Sequence, residues 1–162
     1  MAIERPRLFD RLKKGLEEGI AQERSESMIT DKRVSPRRID KMQKVNLAEK
    51  LAKFQDHWNP RIVGELNGQH VKLVKFQGEF VWHKHDNEDE MFLVVNGQFR
   101  MELEDQPAIE LEEGEFLIVP RGMVHRPVAE EEVSVLLFEP AGTLNTGDAA
   151  TSTLTVAELE SL

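Results

Sequence analysis

The sequence predicts an all-β domain preceded by a short helical extension, and three observations carry that prediction. After Arg61 the chain falls into short runs rich in Val, Ile, Leu and Phe, separated every eight to twelve residues by Gly, Pro, Asn and Asp. That is the texture of antiparallel strands joined by tight turns in a closed or double-sheet structure. In the same stretch no apolar pattern of helical period is long enough for a crossover helix, which argues against a parallel α/β sheet. The third observation is charge. The 162 residues carry 21 Lys and Arg against 30 Asp and Glu, a net of −9, yet residues 1–50 hold 13 basic and 9 acidic side chains. The remainder is strongly acidic, and the change marks a boundary between residues 27 and 46.

Taken in order, residues 6–24 place Leu8, Leu12, Leu16 and Ile20 at every fourth position, an apolar stripe with charged neighbours. Pro6 suits a first helical turn, while Gly15 and Gly19 each weaken a helix interior by about 1 kcal/mol. This is a marginal amphipathic helix that needs a partner surface. The polar, basic stretch DKRVSPRRIDKMQK reads as a linker or arm. Asn46 and Glu49 have the spacing of a capping box, with Leu47, Leu51 and Phe54 at helical intervals behind them. A short helix is expected from residue 47 to about 55, stopped by Asn59-Pro60. Eight strands are expected over residues 62–66, 71–76, 80–85, 91–95, 98–104, 108–111, 116–119 and 133–138. Asn67-Gly68 and Asn96-Gly97 are strong hairpin signals between neighbours in this series. The expected division is 1–45 for the basic extension, 46–145 for the β domain, and 146–162 for a C-terminal tail open to a short helix.

Composition removes several chemistries. The chain has no cysteine and no tyrosine, which excludes disulfides, thiolate ligands, a cysteine nucleophile and a phenolic acid or base. An acidic body repels nucleic acid and anionic membrane. No run approaches the ~18 apolar residues of a membrane span. The first dozen residues lack the apolar core and cleavage site of a secretory signal. The expectation is a soluble cytoplasmic protein with no nucleic-acid or membrane partner. Exposed edge strands and the segment before Arg61 point to a homodimer.

The chemistry gathers in residues 78–125. His83 and His85 lie two apart on an expected strand, so both project from one face. The turn Asp86-Asn87-Glu88-Asp89 resets the alternation, so that Glu90, Phe92 and Val94 can share that face. His125 follows a bend shaped by Pro120 and Gly122. Two imidazoles from one strand, a carboxylate from its neighbour and a third imidazole can converge on one ion. His83 and His85 alone would read as polar residues on an exposed strand face. Glu88 and Asp89 compete with Glu90 for the carboxylate role. His57 and His70 read as surface or packing residues, Arg100 and Arg121 as solvated arginines, and Glu130, Glu131 and Glu132 as part of a solvated face. Trp82 and Phe92 divide evenly between cavity wall and ordinary core.

Two motifs in this stretch resemble those of the cupins. The first reads Gly78-EFVW-His83-Lys84-His85-DNED-Glu90-MFLVVN-Gly97, and the second Gly114-EFLIV-Pro120-Arg121-Gly122-MV-His125. Two departures concern turn geometry and not ligands: four residues separate Gly78 from His83 where the family has five, and Ala129 stands where many members have asparagine. The resemblance implies a cupin-type jelly-roll β-barrel (a double-stranded β-helix), with one divalent transition-metal ion (Mn, Fe, Ni, Co or Zn) held by His83, His85, Glu90 and His125. The motif spacing selects Glu90 over Glu88 and Asp89. On a six-coordinate ion this set leaves two positions open; on tetrahedral zinc it closes the shell. The implied function is a metal-dependent enzyme acting on a small oxygen-rich substrate by dioxygenase, isomerase or lyase chemistry. The alternative is a non-catalytic metal-containing module that binds or senses a small molecule. Cupin enzymes that use a tyrosine are disfavoured here.

Overall fold

A computed structural model of the chain describes residues 44–162. The helix expected over residues 6–24 and the basic arm behind it lie outside the described residues. Helix α1 spans Leu47–Leu51, capped as the sequence predicts: the Asn46 side chain accepts a hydrogen bond from the Glu49 backbone N–H and donates one to the Glu49 carboxylate. It ends earlier than expected. Phe54 is buried against Val63 and Leu73, with Arg61 and Lys75 flanking its ring at 5.5 and 5.9 Å, so the chain leaves the helix axis to seat that ring.

Seven strands follow: β1 Arg61–Leu66, β2 Gln69–Glu79, β3 Glu90–Asn96, β4 Gln98–Leu103, β5 Gln106–Glu112, β6 Phe116–Val119 and β7 His125–Pro140. All pair antiparallel, in the order β1-β2-β7-β3-β6, with β4 joining β5 to β7. The all-β expectation holds. β7 is the spine, because β2 runs along nearly all of it while β4 pairs with its first half and β3 with its second. A strand serving three neighbours must bend. It does so opposite a bulge in β2 between Phe76 and Gly78, where Gly78 takes φ +83° without the penalty a side chain would bring.

Two strand expectations need correction. Residues 80–85 form no strand and make an isolated bridge, His83 to His125. Phe80 N–H still donates to the Pro127 carbonyl at 3.0 Å, but Pro127 has no N–H to return, so the ladder breaks there. In the other direction, β7 begins at His125 and not near residue 133. The acidic run 130–132 continues the strand through the bend with its side chains exposed.

Period-two alternation sorts the side chains. Val74 and Phe76 of β2, Phe92 and Val94 of β3, Phe99 and Met101 of β4, and Val133, Val135 and Leu137 of β7 form the interior cluster. The opposite face of β2 carries Leu73, covered by Phe54 and α1. Residues 146–162 contain no helix. They run in turns back to β1, where Ile62 N–H donates to Glu160 O and Leu162 N–H to Ile62 O, both at 2.9 Å. Among the described residues no helix is long and apolar enough to cross a membrane.

Candidate metal centre

The bridge that replaces the expected strand brings the site together. His83 N–H donates to His125 O at 3.1 Å and His125 N–H to His83 O at 2.9 Å, which sets the two imidazoles side by side with ring centroids 4.3 Å apart. The Pro120–Gly122 bend adds a third tie, from Gly122 N–H to His85 O at 2.7 Å. Glu90 opens β3 opposite Val119 and points inward with Phe92 and Val94. His83, His85, Glu90 and His125 are all buried, and their ligand-type atoms lie within 4.8 Å of one another. That is close to the separation of opposed donors on one ion, about 4.2 Å at ~2.1 Å per bond.

Hydrogen bonding orients these rings as ligands. His83 Nδ1–H donates to Val81 O at 3.0 Å and His125 Nδ1–H to Met123 O at 2.9 Å. A carbonyl only accepts, so the proton of each neutral ring sits on Nδ1 and the Nε2 lone pair is free. His85 Nε2, Glu90 Oε2 and His125 Nε2 are buried without a hydrogen-bond partner. Buried polar atoms are nearly always satisfied, so three such atoms converging on one point form a donor set suited to a cation. The cluster suits a metal ion.

Electrostatics favour the neutral, ligating form at two of the three rings. Burial, reinforced by the neighbouring His125, pushes the His83 imidazole down to about 4, and burial also lowers His125. Both are therefore neutral and ready to ligate at pH 7. Burial opposes the charged form of His85 as well, but the Glu90 carboxylate, 3.3 Å from its Nε2, outweighs that and raises its pKa.

The competing acids lie elsewhere. Asp89 is exposed and accepts from the Arg121 backbone N–H at 2.9 Å, and Glu88 lies outside the cluster. His57 pairs with Glu132 at 2.9 Å, and His70 stands apart. Trp82 is 43% exposed, under the Arg126 guanidinium at 5.0 Å, so it does not face the interior, whereas Phe92 does. Sequence reasoning missed three features. Trp58, at φ +60°, stacks on Phe76 at 4.5 Å and with Phe80 and Phe92 walls a cavity of about 20 Å³ beside His83 and Glu90. That volume admits roughly one water. Lys72 and Glu139 form a fully buried ion pair of 2.7 Å on the interior face. The Met91–Phe138 register sets Glu139 on the strand next to Glu90. Burial, then the Glu90 charge, pushes Glu139 up to about 7 against the pull of Lys72. The signal was present in both strands, as a charge interrupting an otherwise apolar inward face. The third feature is a C-terminal loop whose Asp148 bonds the Lys84 backbone.

A family model described as Cupin domain matches residues 70–139. The crystal structure of a cupin-2 domain containing protein from Shewanella frigidimarina is 42% identical at a TM-score of 0.58, over 59% of this chain and 93% of that one. This chain belongs to the cupin superfamily. The curved sheet is accordingly a cupin jelly roll with the four-residue cluster inside it. The crystal structure of protein NMB1881 from Neisseria meningitidis is 31% identical at a TM-score of 0.57, over 61% of this chain and all (100%) of that one. Hydroquinone 1,2-dioxygenase PnpCD, at 21% identity and a TM-score of 0.51 over 57% of this chain and 70% of that one, shares the fold. "Uncharacterized protein YdbB" from Bacillus subtilis (strain 168) is 36% identical over 64 residues, 40% of this cupin and 57% of that protein. The chain thus spans little more than half the length of that curated relative.

Proposed function

We propose that His83, His85, Glu90 and His125 hold one divalent transition-metal ion, Mn, Fe, Ni, Co or Zn, and that the protein is a metal-dependent enzyme acting on a small oxygen-rich molecule. The observation that carries the reading is the set of buried donor atoms on His85, Glu90 and His125 that converge on one another without a hydrogen-bond partner. When bound, the ion supplies Lewis acidity toward a substrate oxygen. The chain's own residues do the rest. Val81 and Met123 carbonyls hold the His83 and His125 rings in one tautomer and one orientation. Trp58, Phe76, Phe80 and Phe92 give the adjoining cavity an apolar wall, and its 20 Å³ restricts the reacting end of the substrate to a small group.

The same small cavity favours a second reading, a non-catalytic binding or sensing module. Metal analysis of protein purified anaerobically without chelator tests the shared premise: about one equivalent of a transition metal is expected, and none would overturn both readings. Turnover in a substrate screen with that metal then selects the enzyme. We also propose a homodimer, with β6 at the sheet edge exposing Phe116 at 62% and Ile118 at 54%. Soluble, cytoplasmic operation without nucleic-acid or membrane partners fits the acidic charge.

A further inference from the structure

The chain that follows β7 returns across the segment carrying His85. Asp148 N–H donates to Lys84 O at 3.1 Å, and Lys84 N–H donates to Asp148 Oδ1 at 2.9 Å, so one residue grips both backbone polar groups of Lys84. Gly147, at φ +47°, lies flat against the same peptide. A Cβ placed there would overlap Lys84 O, stand 2.9 Å from Lys84 C and come within 3.3 Å of His85 Nδ1. No side chain fits without pushing the two segments apart. The loop is anchored at its far side. Asn145 Nδ2–H donates to Leu154 O at 2.9 Å, Val156 N–H donates to Asn145 Oδ1 at 2.9 Å, and the Thr146 and Thr155 hydroxyls pair at 2.8 Å. Thr146 is completely buried.

We infer that Gly147 and Asp148 are positioning residues for His85, forming a C-terminal strap that sets where this imidazole meets the metal. The inference rests on the reading of His85 as a ligand. His83 and His125 are oriented by carbonyls two residues upstream, within their own segments. His85 is held between two distant pieces of chain: the strap on the Lys84 peptide, and Gly122 N–H on its own carbonyl. Outer contacts that aim a ligand commonly change metal affinity by roughly 10–100-fold when lost.

The test is Co²⁺ titration of the full chain against a competing chelator, with the visible ligand-field absorption recorded at saturation. Gly147→Ala and Asp148→Ala are expected to weaken Co²⁺ binding by roughly 10–100-fold and to alter the absorption band, which a loss of stability alone would not do. Asp148→Asn keeps an Oδ1 acceptor and is expected to restore wild-type binding. Gly142→Ala is the strain control, since Gly142 has φ +91° in the same loop but nothing within 4 Å of a new Cβ; it is expected to bind as wild type does. Should Gly147→Ala fail to fold, the Asp148 pair decides. Wild-type affinity and spectrum in Gly147→Ala and Asp148→Ala would overturn the inference, as would equal weakening by Gly142→Ala. Absence of Co²⁺ binding in the wild type would instead bring down the metal-centre reading beneath it.

Discussion

Two polar regions lie inside this barrel, and they are built on opposite terms. Lys72 and Glu139 close on each other at 2.7 Å across adjacent strands, a cation and an acid buried together. The cluster of His83, His85, Glu90 and His125 does the reverse: its rings spend their Nδ1 protons on backbone carbonyls or face the strap, and the atoms aimed at the centre are left open. An unsatisfied buried polar atom costs about 1–3 kcal/mol. A fold that keeps three of them at one point keeps a cost that a bound cation would offset, beyond what the 3.3 Å contact of His85 Nε2 with Glu90 Oε2 recovers. The pair neutralises its charge internally and leaves one oxygen, Glu139 Oε2, without a hydrogen-bond partner, whereas the cluster gathers three such atoms at one point.

The largest effect expected from breaking the contrast is at the pair. Lys72→Met leaves Glu139 buried without its cation and is expected to cost about 3–5 kcal/mol in urea unfolding at pH 8. Replacing both partners by apolar residues, Lys72→Met with Glu139→Leu, is expected to recover most of that loss. A single-variant cost below about 1 kcal/mol would mean that the pair behaves as an exposed one.

At the cluster, metal should stabilise the wild type by about 2.7 kcal/mol when free metal is at 100 times Kd. His125→Ala is expected to abolish that thermal shift. An undiminished shift would place the ion elsewhere.

The two regions should also separate in pH. His83, held at about 4 against an unfolded value of 6.5, contributes stability that is present above 6.5 and lost as pH falls through 4. His125, also lowered, acts in the same direction. Glu139, raised from 4.5 to about 7, has the opposite sign: the folded state holds its proton longer, so its contribution declines as pH rises from 4.5 to about 7. Stability of metal-free protein against pH is therefore expected to show a shallower neutral-side decline in Glu139→Gln and a shallower acid-side fall in His83→Gln, where His125 still contributes. Identical profiles for both variants and wild type would contradict these assignments.

The smallest stability effect is expected on the outer face. Phe116→Glu with Ile118→Glu should convert a dimer to a monomer in light scattering. Each change should alter the monomer's own stability by no more than about 0.5 kcal/mol.

Local signals in the sequence determined much of this protein. Asn67-Gly68 fixes a hairpin because both positions accept positive φ, at 53° and 75°. Alternation fixes which side chains face inward, and the spacing of His83, His85, Glu90 and His125 named the four residues that the structure gathers. Each of these depends on neighbours a few residues apart or on a motif already written in the chain. What the tertiary structure alone decided lies across long separations. Pro127 ends a ladder with residues 80–85, Glu139 meets Lys72 from 67 positions away, and Asp148 clasps Lys84 from 64. No propensity or periodicity encodes such meetings. They follow from the path of β7 around the barrel, and a linear reading of one strand does not contain that path.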